Sequence, residues 1–101
     1  MERQDEFAQF HYHLDDSIRT LNGHRFGVSS LARLENGLLA SASFDDVIII
    51  WNVTTGEIVK ELEGHKGTIF ALAVLSDGKL ASGSDDKTIK IWNLDDGKLI
   101  N

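Results

Sequence analysis

The sequence predicts an all-β fold: two four-stranded antiparallel sheets in tandem, preceded by part of a third. Three observations lead there. Leu21–Lys60 laid over Leu62–Asn101, a shift of 41, is identical at seventeen of forty positions without a gap. A sustained period of that size means one structural unit stacked on its copy. Turn signals recur at matching places in both copies: Asn36-Gly37 and Asp77-Gly78, Phe44-Asp45-Asp46 and Asp85-Asp86-Lys87, Thr55-Gly56 and Asp96-Gly97. Between them lie runs of about four to seven residues, rich in Val, Ile and Leu and too short for helices.

The elements follow in order. Residues 1–20 form an N-terminal segment without a full counterpart. The same shift taken backwards sets Phe7-Ala8-Gln9-Phe10 on Ile48-Ile49-Ile50-Trp51, and Ser17–Leu21 on Ile58–Leu62. The segment therefore reads as the last one or two strands of a preceding unit, with Met1–Gln4 frayed; the alternative orders only Ser17–Leu21. The first unit, residues 21–61, carries strands over Val28–Leu34, Leu38–Ser43, Val47–Asn52 and Glu57–Leu62. Asn-Gly suits a two-residue hairpin because both turn positions need positive φ. The second unit, residues 62–101, carries Ile69–Leu75, Lys79–Ser84, Thr88–Asn93 and a stub over Lys98–Asn101. Ile48, Ile50, Ile89 and Ile91 point to one face, and Ile49, Trp51 and Trp92 to the other. Sheets apolar on both faces are covered on both. Lys90 is the exception, its stem able to lie across a neighbour while its ammonium reaches water.

Composition excludes several classes. Ten Lys and Arg against sixteen Asp and Glu give a net charge of −6, the wrong sign for nucleic acid or an anionic membrane. With no cysteine, disulfides and Cys-ligated metals are impossible. The longest apolar run, Val47–Trp51, is far short of a membrane span. The charged start Met1–Glu6 has no apolar signal core, so a cytoplasmic location is expected.

The pattern Leu-x-Gly-His, Leu-Ala-Ser-x-Ser-x-Asp and Ile-x-Ile-Trp-Asn, repeating every 41 residues, resembles the WD-repeat family of β-propellers over residues 21–101. Asn52 and Asn93 stand where the signature has Asp. The resemblance implies one propeller blade per repeat, here two blades plus a partial preceding one, an incomplete propeller. It implies a hydrogen-bonded tetrad in each blade: His24, Ser41, Asp45 and Trp51, then His65, Ser82, Asp86 and Trp92. It also implies a non-enzymatic scaffold for protein partners, with no cofactor, metal, nucleic acid or membrane.

The Ser, His and Asp of each set are the parts of a nucleophilic triad. A bracing role is preferred, because the set occurs twice and no Gly-x-Ser-x-Gly elbow accompanies either serine. His11 and His13, with Asp15 and Asp16 after them, have a spacing zinc can use, but a polar segment with incidental histidines is preferred. Arg25, Phe26, Phe44, Lys66, Asp85 and Lys87 fall at one rim of the blades. Phe26 and Phe44 are specific to the first copy, where the second has Gly67 and Asp85, and are either partner contacts or a cover for the blade edge; for Lys66, Asp85 and Lys87 a solvated loop is preferred.

Propellers close with about four to eight blades, so two blades leave two apolar faces open. The chain then reads as part of a longer propeller protein. The alternative is self-assembly into a ring binding a small ligand or glycan; a hydrolase comes last.

Overall fold

The computed structural model describes residues 8–14 and 17–101, with side chains from residue 20 onward. The expectations for Met1–Gln4, for Asp15 and Asp16, and for the side chains of His11 and His13 lie outside the described residues. Strands β1 (Ala8–Leu14) and β2 (Ser17–His24) form a two-stranded antiparallel hairpin. The first full sheet has β3 (Val28–Arg33), β4 (Leu38–Ser43), β5 (Val47–Asn52) and β6 (Glu57–Glu63) side by side in chain order. The second repeats that order with β7 (Ile69–Leu75), β8 (Lys79–Ser84), β9 (Ile89–Asn93) and β10 (Lys98–Leu99).

Turn chemistry sets the strand ends. Asn36 and Gly37 have φ of 63° and 76°, and Asp77 and Gly78 of 61° and 71°, the mirror-image turns that match strand twist. Gly56 and Gly97 close the β5–β6 and β9–β10 turns at φ 80° and 72°, and their amides donate to the Asn52 and Asn93 carbonyls at 2.7 and 2.8 Å. The side-chain oxygens of the same asparagines accept the amides of Thr54 and Asp95 at 2.9 Å each. An asparagine oxygen receives turn amides as a carboxylate would, so Asn serves at this position.

A few strand ends differ from expectation. Leu34 leaves β3 because its amide donates across the turn to the Leu38 carbonyl at 2.9 Å. Thr88 lies outside β9: the matching Val47 is kept in β5 by its pairing with Glu63, and the short β10 pairs only with Trp92 and Asn93. Glu63 extends β6 by one residue through its pairing with Val47. The last strand shortens to two residues, since the Ile100 and Asn101 amides both turn onto the Ile91 carbonyl, at 2.7 and 3.3 Å. In β3 and β7 the register slips past Ser29 and Phe70. The bulge frees the Ser29 hydroxyl to donate to the Ile69 carbonyl of the other sheet.

The two sheets stack face to face. Leu34, Ala40, Ala42, Ile48, Ile50 and Leu62 from the first pack with Ile69, Leu80 and Trp92 from the second. The other face of the first sheet, with Leu39, Ile49, Trp51 and Val53, packs with Leu21 of β2. Sequence arithmetic leaves two faces open; here the hairpin covers one of them. Among the described residues, the face of β7–β9 turned away from the first sheet is uncovered, with Ile89 72% exposed.

Candidate functional site

At one end of each sheet a buried histidine joins the preceding strand to the turn between the second and third strands. In the first sheet His24 Nε2 lies 2.6 Å from Ser41 Oγ, and the Trp51 indole N–H donates to the same oxygen at 2.7 Å. Having accepted that proton, the hydroxyl donates its own to Nε2. The imidazole then keeps its proton on Nδ1, facing Asp45 Oδ2 at 3.4 Å. The second sheet repeats the chain, with His65 Nε2 to Ser82 at 2.6 Å, Trp92 to Ser82 at 2.8 Å and His65 Nδ1 to Asp86 at 2.8 Å. Imidazole and indole meet edge-on, their centroids 6.4 Å apart in the first sheet and 6.2 Å in the second.

The carboxylates also tie the loops. Asp45 Oδ2 accepts the Arg25 amide and Asp86 Oδ2 the Lys66 amide, each at 3.0 Å. The remaining oxygens have different hydroxyl donors in the two copies. Asp86 Oδ1 takes the Thr88 hydroxyl at 2.6 Å. Asp45 has Val47 at that place and takes the Ser43 hydroxyl instead, while Ser84 turns to the Gly67 carbonyl at 3.0 Å. Sequence reading missed these donors, although Ser43-x-Asp45 and Asp86-x-Thr88 carry the signal.

Electrostatics follow the geometry. Burial is the largest influence on His24 and lowers its pKa, outweighing the pull of Asp45 in the other direction. For Asp45 burial alone would raise the pKa, but hydrogen bonds from Ser43 and the Arg25 amide, with the nearby His24, hold it below 3.8. The Thr88 hydroxyl is the largest cause holding the Asp86 carboxyl well below the usual range, helped by the Lys66 amide and His65 against desolvation. Ser41 and Ser82 are each 1% exposed and have their protons committed to histidine. Among the described residues no group of three His, Asp or Glu is placed to hold a metal, and no helix is long and apolar enough to cross a membrane.

The rim residues stand beside these chains and are exposed: Arg25, Phe26 and Phe44 on the first sheet, Lys66, Asp85 and Lys87 on the second. Phe26 is 58% and Phe44 53% exposed. The Phe44 ring lies over the loop backbone, where a β-carbon on Gly27 would sit 3.4 Å from it, and the Phe44 amide donates to the Gly27 carbonyl at 3.2 Å. The two loops are thus held together as one surface.

Known proteins resemble this arrangement. Nuclear distribution protein PAC1 from Coccidioides posadasii (strain C735) is 47% identical over 53 residues, covering 44% of this chain and 11% of that protein. The crystal structure of the WD40 β-propeller domain of Doa1 superposes with a TM-score of 0.84 at 27% identity, over 92% of this chain and 32% of that one. The computationally designed Ika4 protein does so with a TM-score of 0.71 at 29% identity, over 79% of this chain and 49% of that one. The chain thus spans about a tenth of its curated relative and less than half of either solved chain. The sequence model for the WD domain, G-beta repeat matches residues 15–52 and 56–93. Each match starts in or before the outermost strand of one unit and ends at the Trp-Asn of the next sheet, so the sequence repeat staples neighbouring sheets together. With two such matches in register with the two sheets, the chain belongs to the WD domain, G-beta repeat family.

Proposed function

We propose that this chain is a non-enzymatic docking platform for protein partners, and that the rim of its first blade is the contact surface. The observation behind this reading is the pair of exposed aromatics, Phe26 and Phe44, at positions where the second blade has Gly67 and Asp85. Exposed aromatics are costly to leave in water and are enriched among the residues that dominate binding. Arg25, beside Phe26 on the same blade, would supply a polar border to them. The two tetrads act as braces that hold the loops bearing this surface. Their serines are buried and their histidines saturated, which supports a structural role over hydrolysis. The cytoplasm is the compartment that fits a chain without cysteine.

The test is affinity capture with four variants. Phe26→Ala and Phe44→Ser should release partners that the wild type retains, while Lys66→Ala and Lys87→Ala keep them. Equal retention by all four, or a hydrolytic activity abolished by Ser41→Ala, would sink the reading.

A further inference from the structure

We infer that the seam between the two full sheets, at the end opposite the tetrads, is a second docking site: it takes one bulky apolar side chain of a partner protein's peptide segment, flanked there by lysine or arginine. The seam holds a cavity of about 190 Å³. Leu34 and Leu38, on either side of the β3–β4 turn, line it from the first sheet, and Val74 and Leu94 from the second. Leu34 belongs to the core between the sheets, and Leu38 and Leu94 pack on that core. Val74 pairs with Leu80, another member of the same core, so it stands on the face turned to the first sheet. It is nevertheless 47% exposed, because nothing fills the seam beside it. Its counterpart in the first copy is Arg33, so an apolar residue at this place is peculiar to the second sheet. Further chain would not close the seam. A sheet stacked after the second would lie on its other face, that of Ala81 and Ile91, as the second lies on the matching Ala40 and Ile50 of the first.

Charge selects the occupant. Among the described residues, the charged members of the lining are Glu35 and Asp95, one from each sheet and both exposed. The cations of the flanking strands face elsewhere. Arg33 pairs with Leu39, on the face that Leu21 covers, and so points away from the seam. Lys79 and Lys98 both pair with Asn93, which sets them on the outer face with Ala81 and Ile91. Lys60 reaches the β9–β10 turn at Gly97 but is not part of the lining. A cation on the partner is therefore attracted to the two carboxylates, and an anion is repelled. Size selects a side chain. The cavity is smaller than the range of about 300–1,000 Å³ usual for small-molecule sites, and an apolar pocket of this kind is where binding hot spots seat. Its walls are also set in advance. The Leu94 amide donates to the Gly78 carbonyl at 2.9 Å, tying the β9–β10 turn to the β7–β8 turn. A pocket already ordered spares the partner that cost.

Selection from a library of random peptides displayed on phage tests this. The bait is the whole chain carrying Phe26→Ala and Phe44→Ser, so that the rim does not compete and its failure as a docking surface leaves the result unchanged. The enriched peptides should share a Leu, Ile, Met or Phe next to Lys or Arg. A synthetic peptide of the enriched sequence should bind the wild type, and bind Val74→Asp about tenfold more weakly. Added salt should weaken its binding to the wild type by screening the two carboxylates. Glu35→Lys combined with Asp95→Lys changes only exposed residues and keeps the test valid if Val74→Asp does not fold. That double variant should reject the basic peptide and, used as bait, enrich Asp or Glu beside the same apolar residue, a gain that misfolding cannot mimic. No enrichment over bare support, enrichment without a basic residue, or a peptide held as well by Val74→Asp or by the double variant as by the wild type would overturn the inference.

Discussion

Gly23 lies directly over the Trp51 indole: a β-carbon on Gly23 would come within 2.8 Å of the ring's Cη2. The glycine before the tetrad histidine is there because the ring occupies the space a side chain would need. Gly64 stands in the same relation to Trp92, at a looser 3.1 Å.

Gly23→Ala should therefore destabilise the chain by about 1–3 kcal/mol, the usual cost of overpacking a buried site. Gly64→Ala should cost less, and Gly83→Ala should add about 0.4–1 kcal/mol, because its β-carbon meets open space and alanine narrows the freedom of the unfolded chain. Urea denaturation of the three variants gives the order. A Gly83→Ala loss equal to that of Gly23→Ala would show that backbone freedom, not ring contact, sets the cost.

Ser41→Ala strands two groups at once, the Trp51 indole N–H and His24 Nε2. Each loses its buried partner, and the expected loss is about 1–3 kcal/mol. Combining Ser41→Ala with Trp51→Phe should cost less than the two single losses added, since the stranded donor is gone. A double-mutant cycle on thermal or urea unfolding measures that coupling. Strict additivity would mean that the hydroxyl and the indole do not share one network.

Acid should destabilise the fold in two stages. His24 is held neutral in the fold below its ordinary 6.5, so the unfolded chain binds a proton there first. Stability is thus complete above about pH 6.5 and declines as pH falls below it. Asp45 and Asp86 titrate below their ordinary 3.8 in the fold, so the stability they supply is present above about pH 4 and is lost as pH drops through that value. Melting temperatures measured down the pH scale should fall in both windows. His24→Asn should shrink the upper decline and keep the lower one.

Lys87 has φ of 73°, in the left-handed region. Its counterpart in the first blade, Asp46, has φ of 71°, and a short polar side chain tolerates that conformation better than lysine does. Lys87→Asn should raise stability by up to about 1 kcal/mol, part of the cost of the left-handed conformation. Asp46→Asn, already relieved, should change little. Paired denaturation curves decide it; a destabilised Lys87→Asn would show that the lysine stem has packing worth more than the backbone strain.

Most of the architecture is legible in the chain because its signals are local. Asn36-Gly37 and Asp77-Gly78 announce turns whose φ values no other pairing satisfies as easily. Apolar runs of strand length between such turns leave one assignment. The tetrad residues recur at equal spacing, His24 and His65, Ser41 and Ser82, Asp45 and Asp86, Trp51 and Trp92, and the resemblance to the WD-repeat family singles them out among the seventeen repeated positions. Identity at a distance of 41 residues says which side chains hold the same place in the repeat. It does not say which atoms meet. That the Ser43 hydroxyl turns to Asp45 while the matching Ser84 turns to the Gly67 carbonyl is settled by hydroxyl rotations in three dimensions.

By itself, then, the sequence determined the repeat, the turns and the alternation of side chains in each strand, which follow from backbone preferences and residue spacing within about forty positions. The membership of each tetrad came from the resemblance to the WD-repeat family. The tertiary structure decided what covers what. Ile48 and Ile89 are the same residue in the same pattern, yet one is buried and the other is 72% exposed. Burial belongs to the neighbour as much as to the residue: Ile48 has the second sheet against it, and Ile89 does not. The same holds for the face carrying Trp51, covered by Leu21 from a hairpin that the pattern alone does not place. Hydrophobic surface carries no direction or address, so its partner is fixed only when the chain has closed on itself.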